Sequence, residues 1–458
     1  MKTRNFGGGG GGGTPQCHNP NSGNAVCYIS IPFMSDLVPI ADLSPAPRLP
    51  GATRAYHAMV KPVGAICNID CTYCYYLHKQ ELLGSQSKFQ ITDEILETHI
   101  RQYIEGQDRD EVVFSWQGGE PTLLGLEFFH KVVELEQKYK KPSQRIENDL
   151  QTNGTLLNEE WGAFLKQHGF LVGLSIDGPR ELHDAYRITK DGKPTFEKVF
   201  AAAQMLHRHG VPFNTLTVVN RLTAKKPLDV YRFLKNEVRP RQMQFIPCVE
   251  PKVFHNVAPQ MWDLESLPLF DSTAAHPGNP DSVVTDWSIA PDDWGYFLCK
   301  IWDDWYRRDI GRVFVNLFET AVAQWMGKES QLCIYHEFCG KGVALEHDGS
   351  LYSCDHYVYP EYKLGNILQT SSSRMVFSDR QKEFGFAKFN ALPKRCRECK
   401  YLFACNGECP KNRLIRTPEG EIGLNYLCSG LQKFWHHIDR DVQDICRRIA
   451  RGEPLRPQ

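Results

Sequence analysis

Three cysteines stand close together early in the chain, in the order Cys67-x3-Cys71-x2-Cys74. Clustered thiols of this kind read as metal ligands rather than as a disulfide framework. Sixteen of the 458 residues are cysteine, far below the ~8–10% density of a disulfide-stapled scaffold, and a chain of this length buries a core large enough to need none. Three thiolates can hold three irons of a [4Fe–4S] cube and leave the fourth iron without a protein ligand. Zinc is the competing occupant and would recruit His78 to complete its tetrahedron. Tyr73, between the last two cysteines, suits a redox site by limiting solvent access. An open iron can be filled by the amino and carboxylate groups of S-adenosylmethionine, whose reductive cleavage makes a carbon radical.

Eight further cysteines fall between residues 333 and 428: Cys333, Cys339, Cys354, Cys396, Cys399, Cys405, Cys409 and Cys428. Eight is the number that two fully ligated four-iron clusters require. The run Cys396-x2-Cys399-x5-Cys405-x3-Cys409-Pro410 has ferredoxin-like spacing, in which the last cysteine of a run serves the other cluster. A pair of zinc ribbons fits the same count. Cys17, Cys27, Cys248, Cys299 and Cys446 are scattered and read as bystanders, the last three in core positions.

These ligands need a frame. From residue 55 short β-rich runs alternate with amphipathic stretches. The pattern predicts strands at 56–61, 112–117, 147–152, 171–176, 213–219 and 242–247, and helices at 92–105, 126–140, 157–168, 195–209 and 226–237. Six β-then-α units define an α/β fold, a partial (β/α)6 barrel with its chemistry at the carboxyl ends of the strands. Residues 254–291 read as a long loop, 292–308 and 313–327 as helices, 331–430 as metal-organised turns and 429–450 as a final helix. The expected organisation is an extension at 1–52, a barrel at 53–253, a linker and helical segment at 254–330, a second cysteine domain at 331–430 and a helix with tail at 431–458.

Lys plus Arg is 53 and Asp plus Glu is 54, a net charge of -1 that argues against nucleic-acid or membrane-surface binding. No run approaches the ~18 apolar residues of a membrane span. Lys2 and Arg4 are followed by seven glycines, Gly7–Gly13, where a signal peptide would place its apolar region. The Gly-, Pro-, Asn- and Ser-rich start reads as a disordered extension, and an oxygen-sensitive cluster with an open iron implies a reducing, low-oxygen cytoplasm.

The cysteine motif after the first strand, followed by Gln117-Gly118-Gly119-Glu120-Pro121 after the second, resembles the radical S-adenosylmethionine superfamily over residues 55–250. Further matches are Gln151-Thr152-Asn153-Gly154, Ser175-Ile176-Asp177-Gly178-Pro179, His183-Asp184 and Arg187. The resemblance implies that Gly118, Gly119 and Glu120 hold the methionine amino group of the cofactor. It also places Ser175 and Asp177 near its ribose and carboxylate, although Asp177-Gly178 and Asn153-Gly154 serve equally as turns. Backbone groups around Cys248 are candidates for contact with adenine. The second cysteine region resembles the SPASM extension of radical peptide- and protein-modifying enzymes. That likeness assigns one cluster to Cys333, Cys339, Cys354 and Cys409, and another to Cys396, Cys399, Cys405 and Cys428.

The segment Asp348-Gly349-Ser350-Leu351-Tyr352-Ser353-Cys354-Asp355, with Leu364-Gly365-Asn366-Ile367 and the spacing of all eleven cysteines, looks like the anaerobic sulfatase-maturating enzymes. The implied activity is oxidation of a Ser or Cys side chain of a sulfatase to formylglycine. It would use S-adenosyl-L-methionine and three [4Fe–4S] clusters, with a 5′-deoxyadenosyl radical taking a Cβ hydrogen and an auxiliary cluster taking the second electron. Asp355 is implied as the base for the hydroxyl or thiol proton, and Tyr76 and Gln117 as contacts to the target. The implied partners are an unfolded or nascent sulfatase polypeptide and a flavodoxin- or ferredoxin-type reductant. A maturase of other peptides is the near alternative, and a non-catalytic zinc protein the distant one.

Overall fold

The computed structural model describes residues 55–82 and 90–455. The expected extension, with Cys17 and Cys27, lies outside the described residues. The six expected strands are β1 (His57–Lys61), β2 (Glu111–Trp116), β3 (Arg145–Thr152), β4 (Leu171–Ser175), β5 (Phe213–Val219) and β6 (Met243–Pro247). Each lies parallel to the next in that order. The helices α1 (Asp93–Gly106), α2 (Gly125–Tyr139), α3 (Glu159–Gln167), α4 (Phe196–His209) and α5 (Pro227–Phe233) carry the returns. Their ends are written locally. Thr92 and Asn158 accept from the amides of Ile95 and Trp161 as N-caps, Pro227 opens α5, and Gly210 closes α4 in a left-handed conformation. The expected helix at 226–237 continues past α5 as a π turn, Leu234–Val238.

Strand alternation separates two faces. Val60, Phe114, Trp116, Leu150, Val172 and Leu174 belong to one apolar core with Phe129, Val132, Phe164 and Leu206 of the helices. The strand register places Met59, Ser115 and Asp149 in line, and Gln151, Gly173 and Asn214 in another line, on the opposite face. That face is polar: Ser115 Oγ lies 3.2 Å from Asp149 Oδ2, and Gln151 Nε2 donates to Ser175 Oγ at 2.9 Å. A polar face enclosed by a buried sheet is one built to receive a polar ligand.

The sheet does not close by pairing β6 to β1. The free edge of β1 instead receives β7 (Gly342–Glu346) in parallel, with Lys61 opposite Glu346, and β8 (Ser350–Tyr352) and β9 (Lys363–Asn366) continue antiparallel. The irregular segments expected at 331–430 therefore include three strands of one nine-stranded sheet. They are 5, 3 and 4 residues long, too short to show a period, and β7 is ordered by the edge of β1 rather than by its own sequence.

Beyond the barrel the chain forms α6 (Pro291–Arg308), α7 (Asn316–Trp325) and α8 (Cys428–Arg451), and between α7 and α8, within the stretch expected as turns, a 12-residue helix at Asp379–Asn390 and several shorter ones. The stripe Leu431, Phe434, Trp435, Ile438, Val442 and Ile445 buries one face of α8. Its register is fixed by Trp302 Nε1 donating to Asp441 and Trp325 Nε1 donating to Asp439, both at 3.0 Å. Residues 254–290 hold only short 3₁₀ turns, as expected of the loop. Among the described residues no helix is long and apolar enough to cross a membrane.

Candidate iron–sulfur and cofactor site

The loop after β1 carries Cys67, Cys71 and Cys74, and neighbouring strand ends clamp it. Residues 69–71 pair antiparallel with 187–189. Asn153 Nδ2, after β3, donates to Asn68 Oδ1 at 2.9 Å and lies 3.7 Å from Cys67 Sγ. Arg187 Nη1 lies 3.8 Å from Cys71 Sγ. All fourteen described cysteines are free. Burial, helped by Glu120 and Cys74, pushes the Cys67 thiol up to about 11, and burial dominates the rise at Cys71 and Cys74 as well. Such thiols ionise only beside a strong cation, which is what bound iron supplies. His78, the alternative fourth ligand, packs against the rings of Phe254 at 4.8 Å and His255 at 4.7 Å. Among the described residues no three Cys, His, Asp or Glu side chains converge on a single ion, so the three thiols suit the wider span of a cluster with one open iron better than a zinc site.

The segment after β2 fits against this loop. The amides of Gly119 and Glu120 donate to the carbonyls of Gly64 and Ile66, both at 2.8 Å. A Cβ on Gly119 would lie 1.8 Å from the Ile66 carbonyl oxygen, so only glycine permits the approach. Glu120 is fully buried, and its carboxylate accepts from Thr122 N and Oγ1, Thr152 Oγ1 and Asn153 N at 2.6–3.1 Å. That side chain locks β2 to β3 and faces no open space. Any contact with a cofactor from this segment comes through its backbone.

Asp177 differs from its expected role in the same way. It is fully buried, and its carboxylate accepts from the Tyr73 hydroxyl, from Arg187 Nε at 3.0 Å and from Val218 N at 3.0 Å. It therefore holds the cysteine loop to β4 and β5. His183 and Asp184 also serve the scaffold: His183 Nδ1 accepts from Asp177 N, and Asp184 accepts from the amides of Thr195 and Phe196 at the start of α4. Ser175 stays half-buried on the polar face. At Cys248 the backbone is consumed internally, its amide donating to Val219 O and its carbonyl accepting from Ile289 N.

A second group of polar residues gathers beside the cysteine loop. Asp355, in the turn after β8, pairs with Lys61 and accepts from the Tyr75 hydroxyl. Burial pushes its carboxyl up, but Lys61, His356 and the hydrogen bonds from Lys61 and Tyr75 outweigh it and hold the group below its ordinary value. The Tyr76 hydroxyl donates to Glu346 at the end of β7, and Lys61 Nζ stands 4.6 Å from the Tyr76 ring. Gln117 is half-buried at the end of β2. Lys411 Nζ pairs with Glu250 at 2.6 Å and lies 5.8 Å from the Tyr75 ring.

The eight later cysteines separate into two sets. Cys354 lies within electrostatic reach of Cys409, Cys333 and Cys339. Cys405 lies within reach of Cys428 and Cys396, and Cys428 within reach of Cys396 and Cys399. The second set lines one cavity, walled by Tyr401, Leu402, Leu431 and Trp435. Among the described residues, no three Cys, His, Asp or Glu side chains converge closely enough for a single ion. Four thiols around an apolar-walled cavity are instead the arrangement that a cluster fits.

Residues 62–234 match the radical SAM superfamily, and residues 333–400 match SPASM, an iron–sulfur cluster-binding domain. With the strand-end cysteine loop and the two later thiol sets, this defines a radical S-adenosylmethionine oxidoreductase that uses S-adenosylmethionine and three [4Fe–4S] clusters. The serine-type anaerobic sulfatase-maturating enzyme of Bacteroides thetaiotaomicron is 44% identical over 83% of this chain and 89% of its own length. The cysteine-type enzyme of Clostridium perfringens is 32% identical over 85% of this chain and 98% of its own. The solved structure of native anSMEcpe with bound AdoMet and Cp18Cys peptide superposes with a TM-score of 0.72 at 30% identity, covering 87% of this chain and all of that one. The chain belongs to the anaerobic sulfatase-maturating enzyme family.

Sequence reasoning passed over Lys61, Tyr75 and Glu346. A charged residue closing an otherwise apolar strand was the available signal for Lys61 and for Glu346, because buried charges are rare without a partner. Tyr75 carried no signal, since its partner is far along the chain.

Proposed function

We propose that this enzyme converts a Ser or Cys side chain of a sulfatase polypeptide to formylglycine, with Asp355 as the base. The observation that carries the reading is the placement of the Asp355 carboxylate against Tyr75 and Lys61, with Lys61 in turn over the Tyr76 ring, at the carboxyl edge of the sheet and next to a cluster-type cysteine. The bound cofactor and clusters supply the hydrogen-abstracting radical and accept the remaining electron. Asp355 receives the hydroxyl or thiol proton of the target. Lys61 and Tyr75 orient its carboxylate and keep it ionised. Tyr76, held by Glu346, and Gln117 line the approach for the target side chain. Gly118 and Gly119 offer backbone, and Ser175 its hydroxyl, to the cofactor, while Glu120 and Asp177 position the loops that meet it.

Cys67, Cys71 and Cys74 hold the cluster that binds the cofactor. Cys333, Cys339, Cys354 and Cys409 hold one auxiliary cluster, and Cys396, Cys399, Cys405 and Cys428 the other. A cluster with an open iron suits a reducing cytoplasm and a flavodoxin- or ferredoxin-type donor. The relatives include serine- and cysteine-type enzymes, so the test uses both peptides. Under anaerobic conditions Asp355→Asn retains cofactor cleavage but lowers aldehyde formation, read by mass spectrometry, by about 10²–10⁴-fold. Aldehyde formation at the parent rate would remove Asp355 from its role.

A further inference from the structure

Arg413 is 3% exposed, and all three of its guanidinium nitrogens are buried with no hydrogen-bond partner in the structure. An arginine cannot shed its charge and brings five N–H donors in a rigid fork. Burying that fork unpaired is costly, so the acceptors must come from something the chain does not supply. The nearby buried carboxylate is committed elsewhere: Glu408 accepts from Asn412 at 2.9 Å and Asn425 at 2.6 Å.

The position of Arg413 is specific. Its charge acts on Cys339 of one auxiliary set and on Cys396 of the other. The guanidinium lies against Gly407, where a Cβ would come within 2.8 Å of Nη2, and Gly407 lines the cavity of Cys396, Cys399, Cys405 and Cys428. Gly407 is the middle of three consecutive left-handed residues, with Asn406 at φ 47°, Gly407 at 69° and Glu408 at 49°. This tight turn takes the chain from Cys405 of one set to Cys409 of the other, and Arg413 packs at its centre.

We propose that Arg413 donates N–H bonds to sulfur atoms at the junction of the two auxiliary clusters and thereby raises their reduction potentials. Cluster sulfides and thiolates are the missing anionic acceptors. A fixed cation and its hydrogen bonds stabilise the more negative, reduced state. The inference rests on the ligand assignment above.

The test uses the full chain, reconstituted anaerobically, with Arg413→Met and Arg413→Lys. Iron content is measured first, then EPR-monitored redox titrations. The expected result is full iron, a downward shift of the auxiliary midpoint potentials in R413M, a smaller shift in R413K, and an unmoved cluster at Cys67, Cys71 and Cys74. Full iron with unshifted auxiliary potentials in R413M would overturn the inference alone. Iron for only one auxiliary cluster in the parent would overturn the ligand assignment and the inference with it. Where R413M loses iron, pulsed EPR of the reduced parent labelled with 15N-arginine decides. A nitrogen coupling that vanishes in R413K supports the contact, and the lack of any coupling in the parent refutes it.

Discussion

Lys61 and Asp355 form an ion pair that ties the last residue of β1 to the turn after β8, with side-chain exposures of 2% and 12%. The parallel pairing of β1 with β7 brings the two chain regions together, and Tyr75 adds a second donor to the same carboxylate. A base of fixed orientation results, and Lys61 and Tyr75 act through it.

Replacing Lys61 by Met should free the Asp355 carboxylate to turn away. Misplacement on the scale of an ångström costs about 10²-fold in rate. Aldehyde formation in K61M should fall by about that factor while cofactor cleavage continues, so the ratio of cleaved cofactor to aldehyde rises. An unchanged ratio would show that the pair is only structural.

Arg187→Met leaves Asp177 fully buried without its cation, a loss of about 3–5 kcal/mol for a broken buried pair. Because Arg187 also faces Cys71, the loop should fail to hold its cluster. Iron should drop by about four per chain while the auxiliary EPR signals persist.

Gly119→Ala places a methyl against the Ile66 carbonyl oxygen. The loop bearing Cys67 must move, and equilibrium binding of S-adenosylmethionine to the reconstituted protein should weaken by at least about tenfold, equivalent to about 1.4 kcal/mol. Parent-like affinity would mean that the loop yields without loss.

Cys396→Ala should remove one auxiliary EPR signal, whereas Cys446→Ala should keep all iron. The Cys446 thiol lies 3.8 Å from the Val322 carbonyl oxygen on the α7 side of the molecule, away from the thiol-lined cavity. Full iron in C396A would dismiss the cavity as a cluster site.

Glu136 is 1% exposed, and burial pushes its carboxyl up to about 8, only partly offset by Asn148 at 2.9 Å. Its folded value is raised, so the contribution of this one group to stability is greatest below about pH 4, falls as pH rises toward 8 and then levels. Glu136→Gln keeps the acceptor but not the charge. The variant should melt close to wild type at pH 4 and progressively higher than it up to pH 8, read by thermal unfolding across pH. A constant difference across this range would contradict the raised carboxyl.

The sequence by itself determined much of this protein. Cys67-x3-Cys71-x2-Cys74 and the glycines after β2 are local signals, because ligand spacing and close backbone approach are written within a few residues. The six strands and their helices were equally legible, since amphipathic periods and caps such as Thr92 and Asn158 act at short range. Only the tertiary structure decided which side chains are free to act. Glu120 and Asp177 read as ligand contacts in the linear chain, but burial and saturated hydrogen bonds make them scaffolding. Lys61 meets Asp355, and Arg413 sits between Cys339 and Cys396, because distant segments share one sheet edge and one tight turn. Those partnerships arise from packing between residues far apart in the chain, so no local pattern could encode them.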